Sequence, residues 1–472
     1  MFQRHFAHPK LPFIPPRYNP LVLRLAHLLL PLFLRFRLRR WLIGGISRLE
    51  TSPLDTLLHL YQQFQQGKIR LILAFRHSEV EDPLILIYLF SRAIPRAAQR
   101  QNISLTSPIH THFLYDRGMT IWGGDWLGWV LSRGGGVPIH RGKPLDRTAL
   151  KTARDLLING QFPMTIAPEG ATNGHSEKIS PLEPGTAQLA FWAVEDLAKH
   201  QRKETVLLLP IGIQYYFIRP PWSKIGKLIQ HLEKNLGLPP LPIVAEPDVL
   251  YQRLFKVAET LLLQMEDFYH RFHHCPISPV AVDSNSPPTQ PLEQRLNHLL
   301  DVALTVAEDY FKIEPQGNFI DRCRRLEEVS WNVIYREDIP NWRGISAFQQ
   351  GLADWVAQEA ILQEKHMRLV ESFVAVTSDY ITAENITAER MAEVALILFD
   401  CVERIRGVKI PKRPRLGQRW VKITLGEPIS ASDRYGAYKA GRHQAKQAVK
   451  DLTAEIQAQL EGLIEASSGG LG

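Results

Sequence analysis

The chain has 472 residues, which is too many for one domain with an ordinary core. Because 45% of its residues are hydrophobic, it can bury a large apolar core. The three cysteines, Cys275, Cys323 and Cys401, are scattered and odd in number. This pattern argues against a disulfide framework and favours a reducing compartment. The net charge of +8 is unevenly distributed, because residues 1–49 contain nine Lys or Arg and no acidic residue.

The first predicted element is LVLRLAHLLLPLFLRFRLRRWLIGG, residues 21–45. Its apolar run is broken by Arg24, His27 and Pro31 and is shorter than the about 20 residues of a spanning helix. It predicts helices that lie in the membrane interface, so we expect 1–49 to be a basic amphipathic anchor at the cytoplasmic face of a membrane. An organelle transit peptide is an alternative. A nucleic-acid partner is not expected, since the basic residues alternate with leucines.

Strand and helix patterns alternate over the next part of the chain. Strands are predicted at 68–75, 111–116 and 205–217, and 162–170 predicts a strand that runs into a glycine-containing loop. Helices are predicted at 82–93, 145–160 and 184–199. The Gly- and Trp-rich stretch 118–143 predicts a short helix and then a strand ending near His140. This order predicts an α/β fold with a largely parallel sheet flanked by helices, of which 50–217 is the first part.

The pattern changes after residue 217. DSNSPPTQP (283–291) predicts an exposed linker, and the predicted helices nearby cover 292–313, 345–380 and 384–406. Strand character returns in RWVKITLGEPIS, and a final helix is predicted at 440–464. We therefore expect 218–417 to be a mostly helical insertion, 418–465 to complete the α/β domain, and 466–472 to be a disordered tail.

LAFRHSEVEDPLIL (73–86) places a histidine and three carboxylates between two apolar runs. Asp82-Pro83 is typical of a helix start, so His77 is expected on the loop after a strand. Such a loop can bring the Asp82 carboxylate to one imidazole nitrogen and leave the other nitrogen to take a proton. In α/β proteins, ligand-binding and active sites form at the carboxyl ends of the parallel strands. A solvated polar turn is the structural alternative.

Three later strand ends carry further candidate residues. GGVPIHRGK (135–143) presents Arg141 and Lys143, two cations suited to a phosphate. APEGATNG (167–174) presents Glu169, an acceptor for hydroxyl groups, and Gly170, which lets backbone approach a ligand. The apolar LLLPIG (207–212) closes the series. Taken singly, none of these segments identifies a site, since an arginine at a strand end is usually a surface cation.

In this order the four segments resemble the sequence blocks of the glycerolipid acyltransferases, the lysophosphatidate and glycerol-phosphate acyltransferases. RHSEVED resembles the family block with His and Asp five residues apart, and Gly135 to Arg141 resembles its Gly-to-Arg block. PEGATNG and LLLPIG resemble the third and fourth blocks, and VKITLGEPI resembles the strand that closes the domain. The resemblance covers roughly 50–218 and 418–465.

The resemblance implies transfer of a fatty acyl chain from acyl-CoA or acyl-carrier protein to a lysophospholipid or glycerol-phosphate acceptor. The leading reaction is 1-acylglycerol-3-phosphate to phosphatidate. His77 would be the general base and Asp82 would orient it. The substrate-binding residues would be Arg141, Lys143, Glu169, Gly170 and Thr172. No cofactor or metal is implied, and YHRFHHC (269–275) lacks a second cluster with the spacing of a structural zinc site.

The chain departs from the family blocks at two positions. Glu79 stands where the family has serine, and Thr172 stands where its third block has arginine, with Lys178 the nearby cation. An arginine immediately before the histidine, here Arg76, resembles the first block of the glycerol-phosphate branch of the family. Glycerol 3-phosphate and other lysolipids are therefore alternative acceptors, and a catalytically silent lipid-binding or scaffold protein is the alternative class. The basic stretch 404–419 is a candidate contact for an acidic carrier protein or for lipid.

Overall fold

This computed structural model describes residues 6–140, 146–275, 289–339, 341–373, 376–377 and 379–465. The strands are β1 (His8–Pro9), β2 (Ile46–Thr51), β3 (Ile69–Phe75), β4 (His112–Asp116), β5 (Gly136–Ile139), β6 (Met164–Ile166), β7 (Thr205–Phe217), β8 (Tyr335–Arg336), β9 (Arg419–Leu425) and β10 (Ile429–Ser430). Eight of them form the main sheet, and β1 pairs with β8 separately.

The main sheet has the order β2-β9-β7-β3-β6-β4-β5, with β10 beside the first part of β7. The pairs that join β7, β3, β6, β4 and β5 are parallel, whereas β9 and β10 run antiparallel to β7. The predicted α/β fold with a largely parallel sheet is therefore confirmed. The strand β3 lies in the middle of the sheet and is buried along its whole length, which explains why all its residues except Arg70 are apolar.

Helices cover both faces of the sheet. Those of the α/β part are α1 (Pro20–Arg35), α2 (Asp55–Gln65), α3 (Asp82–Tyr88), α4 (Ile94–Arg100), α5 (Met119–Gly123), α6 (Asp125–Arg133), α7 (Arg147–Asn159), α8 (Gly185–Lys199), α15 (Tyr435–Lys439) and α16 (Arg442–Gly462). One π-helical turn, Leu89–Ala93, joins α3 to α4. The helices α1 to α4 pack on one face of the sheet, and α7, α8 and α16 pack on the other.

The region 218–417 connects two strands that are neighbours in the sheet. Phe217, the last residue of β7, is paired with Arg419, the first residue of β9, and the Ile218 N–H donates to the Gln418 carbonyl. The chain therefore leaves and re-enters the sheet at one point. Between these strands lie α9 (Trp222–Asn235), α10 (Pro247–His273), α11 (Thr289–Phe311), α12 (Phe319–Ile334), α13 (Ala347–Phe373) and α14 (Ala388–Ile405). Side chains from all six helices share one core.

Two findings refine the expected boundaries. The strand β2 begins at Ile46, inside the stretch assigned to the membrane anchor, and pairs in parallel with β9. The helix α11 begins at Thr289, inside the stretch expected to be a linker. Most of that linker and the expected tail 466–472 lie outside the described residues. In the described part, no helix combines the length and apolar character needed to cross a bilayer.

The helix α14 docks on the loop that follows β6. The carboxylate of Glu393 accepts hydrogen bonds from the Ser176 N–H, at 3.0 Å, and from the Tyr380 hydroxyl. Burial raises the pKa of Glu393 to about 8, although its hydrogen bonds act in the opposite direction. The protonated form therefore dominates in the folded protein at neutral pH.

We predict that Glu393→Gln stabilises the protein at high pH. Because the pKa of Glu393 is raised on folding, wild-type stability is fullest below the unfolded-state pKa of the carboxyl and declines as the pH rises to about 8. Glutamine keeps the shape and cannot ionise. Chemical denaturation should show equal stability near pH 5 and a gain on the order of 2 kcal/mol at pH 8.5.

The matched control is Glu384→Gln, which changes an exposed carboxylate of the same region. It should leave the pH dependence of stability unchanged. If Glu393→Gln instead loses stability at pH 8.5, the buried carboxylate is ionised and serves as a required acceptor.

Candidate active site

The imidazole of His77 and the carboxylate of Asp82 meet at the carboxyl end of β3. The His77 Nδ1 lies 3.0 Å from Asp82 Oδ2. The His77 side chain is 21% exposed, whereas that of Asp82 is fully buried. Because a carboxylate only accepts, this contact places the proton on Nδ1 and leaves Nε2 free to accept another.

A short loop and the following helix bring these two side chains together. The helix α3 begins at Asp82, with Pro83 in its first turn, where a missing N–H costs nothing. The Asp82 Oδ2 also accepts the Glu79 N–H at 2.9 Å. The carboxylate therefore turns back onto the preceding loop, where it also contacts the His77 imidazole.

The second oxygen of Asp82 is held by a residue that the sequence analysis did not single out. The Tyr215 hydroxyl, on β7, donates to Asp82 Oδ1 at 2.5 Å. Burial and the negative charge of Asp82 raise the pKa of Tyr215 well above its ordinary value, so the phenol remains a donor. Sheet register explains its position, because Phe75 at the end of β3 pairs with Ile211 and β7 continues past it.

The two other carboxylates of the loop anchor it to distant parts of the chain. The Glu81 Oε1 accepts the N–H groups of Ile43 and Gly44 at 2.5 and 3.0 Å. The carboxylate of Glu79 lies 3.5 Å from the guanidinium of Arg419 and 3.8 Å from that of Arg413. Burial raises the pKa of Glu79 to about 7, against the effect of both arginines. Of the three carboxylates, Asp82 is the one hydrogen-bonded to His77.

The third sequence block, PEGATNG (168–174), packs directly against the loop that carries His77. Glu169 Oε1 accepts the His77 N–H at 2.8 Å, and Oε2 accepts the Ser180 N–H at 2.9 Å and the Asn173 side-chain amide at 3.1 Å. Burial raises the pKa of Glu169, and the positive charge of Arg76 opposes the shift. These contacts join the two loops, and a contact of Glu169 with an acceptor hydroxyl stays a prediction.

Gly170 adopts a conformation that other residues rarely adopt. Its φ is +71°, and a Cβ at this position would lie 2.3 Å from Glu183 Oε1. Thr172 lies exposed on the same loop. The nearby cation Lys178 lies 3.6 Å from the carboxylate of Asp379, which belongs to the insertion.

The predicted phosphate ligands Arg141 and Lys143 lie outside the described residues. The strand that precedes them, β5, is separated from β3 by β6 and β4, about 14 Å at ordinary strand spacing. Their participation in the site stays a prediction that depends on the path of this loop.

Arg76 is a further residue whose structural role the sequence did not indicate. Its side chain is fully buried, and its guanidinium donates to the carbonyls of His175 at 2.5 Å, Lys178 at 2.7 Å and Ser176. It therefore fixes the loop after β6 beside the loop after β3. In the sequence, the only feature that drew attention to Arg76 was its position immediately before His77.

A largely parallel sheet with a His–Asp pair at the carboxyl end of its central strand is an arrangement suited to general-base catalysis. Residues 58–214 match the family model described as Acyltransferase, so this part of the chain is a domain of the glycerolipid acyltransferase family that the sequence blocks resemble. The expectation from the sequence blocks is thus confirmed. No curated protein matches the chain.

We predict that Tyr215→Phe weakens both the site and the fold. The substitution leaves Asp82 Oδ1 buried without its tyrosine donor, which costs about 1 to 3 kcal/mol. Acyl transfer should fall by about tenfold as the imidazole loses its fixed orientation. Tyr216→Phe is the matched control, since this neighbour faces the other side of β7 and stacks on Trp420. Equal activity of both variants would contradict a positioning role for Tyr215.

We predict that Gly170→Ala destabilises the loop after β6. A methyl group would require both a strained positive φ and displacement of Glu183, a cost of about 1 to 3 kcal/mol. Thermal and chemical denaturation measure this loss. Gly185→Ala serves as the control, because a Cβ there meets nothing within 4 Å and no positive φ is involved. A Gly170 variant as stable as this control would show that the loop adjusts freely.

Proposed function

We propose that the protein transfers a fatty acyl chain from acyl-CoA or acyl-carrier protein to a hydroxyl of a phosphorylated glycerol acceptor. The observation that carries this proposal is the His77–Asp82 contact of 3.0 Å, with the imidazole partly exposed and the carboxylate fully buried. A histidine held in this way is suited to act as a general base. The acyltransferase domain over residues 58–214 supports the reaction class.

The proposed reaction needs no covalent enzyme intermediate. His77 Nε2 takes the proton of the acceptor hydroxyl as its oxygen attacks the thioester carbonyl carbon. The negative carboxylate of Asp82 stabilises the imidazolium that forms. The carbon–sulfur bond then breaks, the new ester is released, and the departing thiolate takes the proton from His77.

The proposed acceptor is 1-acylglycerol 3-phosphate, which would give phosphatidate in phospholipid biosynthesis. Support for a phosphorylated acceptor comes from Arg141 and Lys143, two cations that follow β5 in the sequence. Glu169, Gly170 and Thr172 lie on the loop after β6, which contacts the loop of His77, and they would shape the acceptor site.

We also propose that α1 lies in the interface of a membrane, at its cytoplasmic face. One side of α1 is buried through Leu23, Leu30 and Leu34. Its opposite side exposes a second row of leucines to solvent, which is costly unless another apolar phase covers it. The exposed residues are Leu21, Leu25, Leu28 and Leu32. A single-chain lipid acceptor would then reach the site from the bilayer.

Three tryptophans extend this apolar surface. Trp122, Trp126 and Trp129, on α5 and α6, are all exposed. Trp122 packs edge-on against Trp41, which follows α1, and Arg39 lies over the ring of Trp126. Tryptophans with arginines beside them are typical of membrane interfaces.

We predict that His77→Ala and Asp82→Asn lose acyl transfer while the protein remains folded. Removal of a general base typically costs 10²- to 10⁴-fold in rate, and loss of the orienting charge should cost about 10²-fold or more. The assay follows thiol release in mixed micelles with acyl-CoA or acyl-carrier protein. Lysophosphatidate, glycerol 3-phosphate, other lysophospholipids and diacylglycerol are offered in turn.

His59→Ala is the matched control, because His59 is exposed on α2 and lies outside the two loops that form the candidate site. It should retain full activity. Turnover with one acceptor that vanishes in the His77 variant would identify the substrate. Equal release by wild type and the His77 variant, or none with any acceptor, would favour a lipid-binding or scaffold protein without catalytic activity.

A further inference from the structure

Two basic stretches that are far apart in sequence meet beside the candidate site. The first follows α1 at residues 35–45, and the second is 404–419, where the insertion rejoins the sheet. The Arg37 guanidinium donates to the Arg413 carbonyl at 2.5 Å. The Arg415 guanidinium covers Gly45, since a Cβ there would lie 2.4 Å from its Nε.

The sheet fixes this meeting point. The strands β2 and β9 pair in parallel from Ile46 and Arg419 onward, and the Arg419 N–H donates to the Gly45 carbonyl at 2.9 Å. The two basic stretches enter these neighbouring strands together. Their proximity therefore follows from strand pairing.

We define the basic rim as the exposed cations of the two stretches. Its members are Arg35, Arg39, Arg40, Arg404, Arg406, Lys409, Lys412 and Arg415. The second stretch holds seven Lys or Arg and no acidic residue. Within the described part of the chain, Arg406 pairs with Glu403, whereas Lys409, Lys412 and Arg415 form no ion pair. The rim therefore retains uncompensated positive charge.

Exposed apolar side chains lie among these cations. Phe36 and Leu38 alternate with arginines in the first stretch. In the second, Ile405 lies between two arginines and Val408 precedes Lys409. An acidic protein would match the charge alone. A bilayer with anionic lipids matches both features, because phosphates attract the cations while the apolar side chains enter the interface.

We propose that the basic rim binds the anionic headgroups of a phospholipid bilayer. The insertion thus supplies half of a lipid-binding surface whose other half follows α1. The rim adjoins the loop of His77, since Glu81 accepts from Ile43 and Gly44, and Glu79 faces Arg413 and Arg419. Binding would hold this loop at the bilayer surface. This use rests on the proposed function, whereas the binding itself does not.

The test is co-sedimentation of the full-length protein with vesicles. One set is phosphatidylcholine alone, and in the other roughly a third of the lipid is phosphatidylglycerol, an anionic lipid. The variant is Lys409→Gln with Lys412→Gln. Each lysine near an anionic surface contributes about a kcal/mol, so partitioning onto anionic vesicles should fall roughly 10- to 30-fold. Partitioning onto phosphatidylcholine should change little.

The matched control is Lys446→Gln with Lys450→Gln, two exposed lysines on α16. It should bind anionic vesicles like the wild type, and thermal melting checks that both variants are folded. Equal partitioning of the Lys409/Lys412 variant and the wild type would overturn the proposal. Unchanged vesicle binding with lost affinity for acyl-carrier protein would assign the surface to that protein.

Failure of this proposal is distinguishable from failure of the proposed function. Vesicle binding is measured without turnover. Acyl transfer by the wild type in neutral detergent micelles tests the chemistry without anionic lipid. A protein that binds anionic vesicles through the rim and transfers no acyl chain would refute the reaction and support the rim.

Discussion

The buried carboxylate of Asp82 is the contact on which the candidate site depends. It binds the His77 imidazole, the Glu79 N–H and the Tyr215 hydroxyl at the same time. A charge removed from water in this way requires such partners, because an unpaired buried carboxylate would be very costly. The same contacts set the tautomer of the imidazole, so the stability of the loop and the chemistry of the histidine have one origin.

The C-terminal part of the helical insertion contacts the loops of the candidate site. Its last residues bring Arg413 to Glu79, and α14 brings Glu393 to the loop after β6. The Arg76 guanidinium, at the end of β3, then donates to backbone carbonyls of that loop and so holds it beside β3. The two loops of the candidate site are therefore held from the sheet and from the insertion together. A change in the position of α14 would be transmitted to His77 first through the loop after β6 and then through Arg76.

The elements that position the site were predictable from local patterns. The apolar run before His77 predicted β3, and Asp82-Pro83 predicted the start of α3. Local patterns did not predict β2, because its residues follow a cationic stretch and acquire strand structure only by pairing with β9. They also missed α9, since the prolines around 220 and 240 bracket that helix and do not interrupt it.

The side-chain partners were less predictable, for a physical reason. Tyr215 reaches Asp82 because β7 extends past the end of β3, and register is a property of the folded sheet. The sequence did not indicate the hydrogen bonds of Glu169 with backbone and amide groups of neighbouring loops, and its contact with an acceptor stays a prediction. The sequence shows which groups can donate or accept hydrogen bonds, and the fold determines which of these groups come into contact.

The pairing of Phe217 with Arg419 has a consequence for the history and engineering of this domain. The chain crosses from the sheet to the helical region and back through two adjacent positions, about 5 Å apart in a paired sheet. A tight turn could span that gap without altering a single ladder hydrogen bond. The region between them is thus a module that a gene could gain, exchange or lose at one locus, while the sheet keeps its topology. Such an exchange would have to replace the contacts that this region makes with the rest of the chain, among them the β1–β8 pair, the Glu393–Ser176 hydrogen bond and the Arg413–Glu79 ion pair.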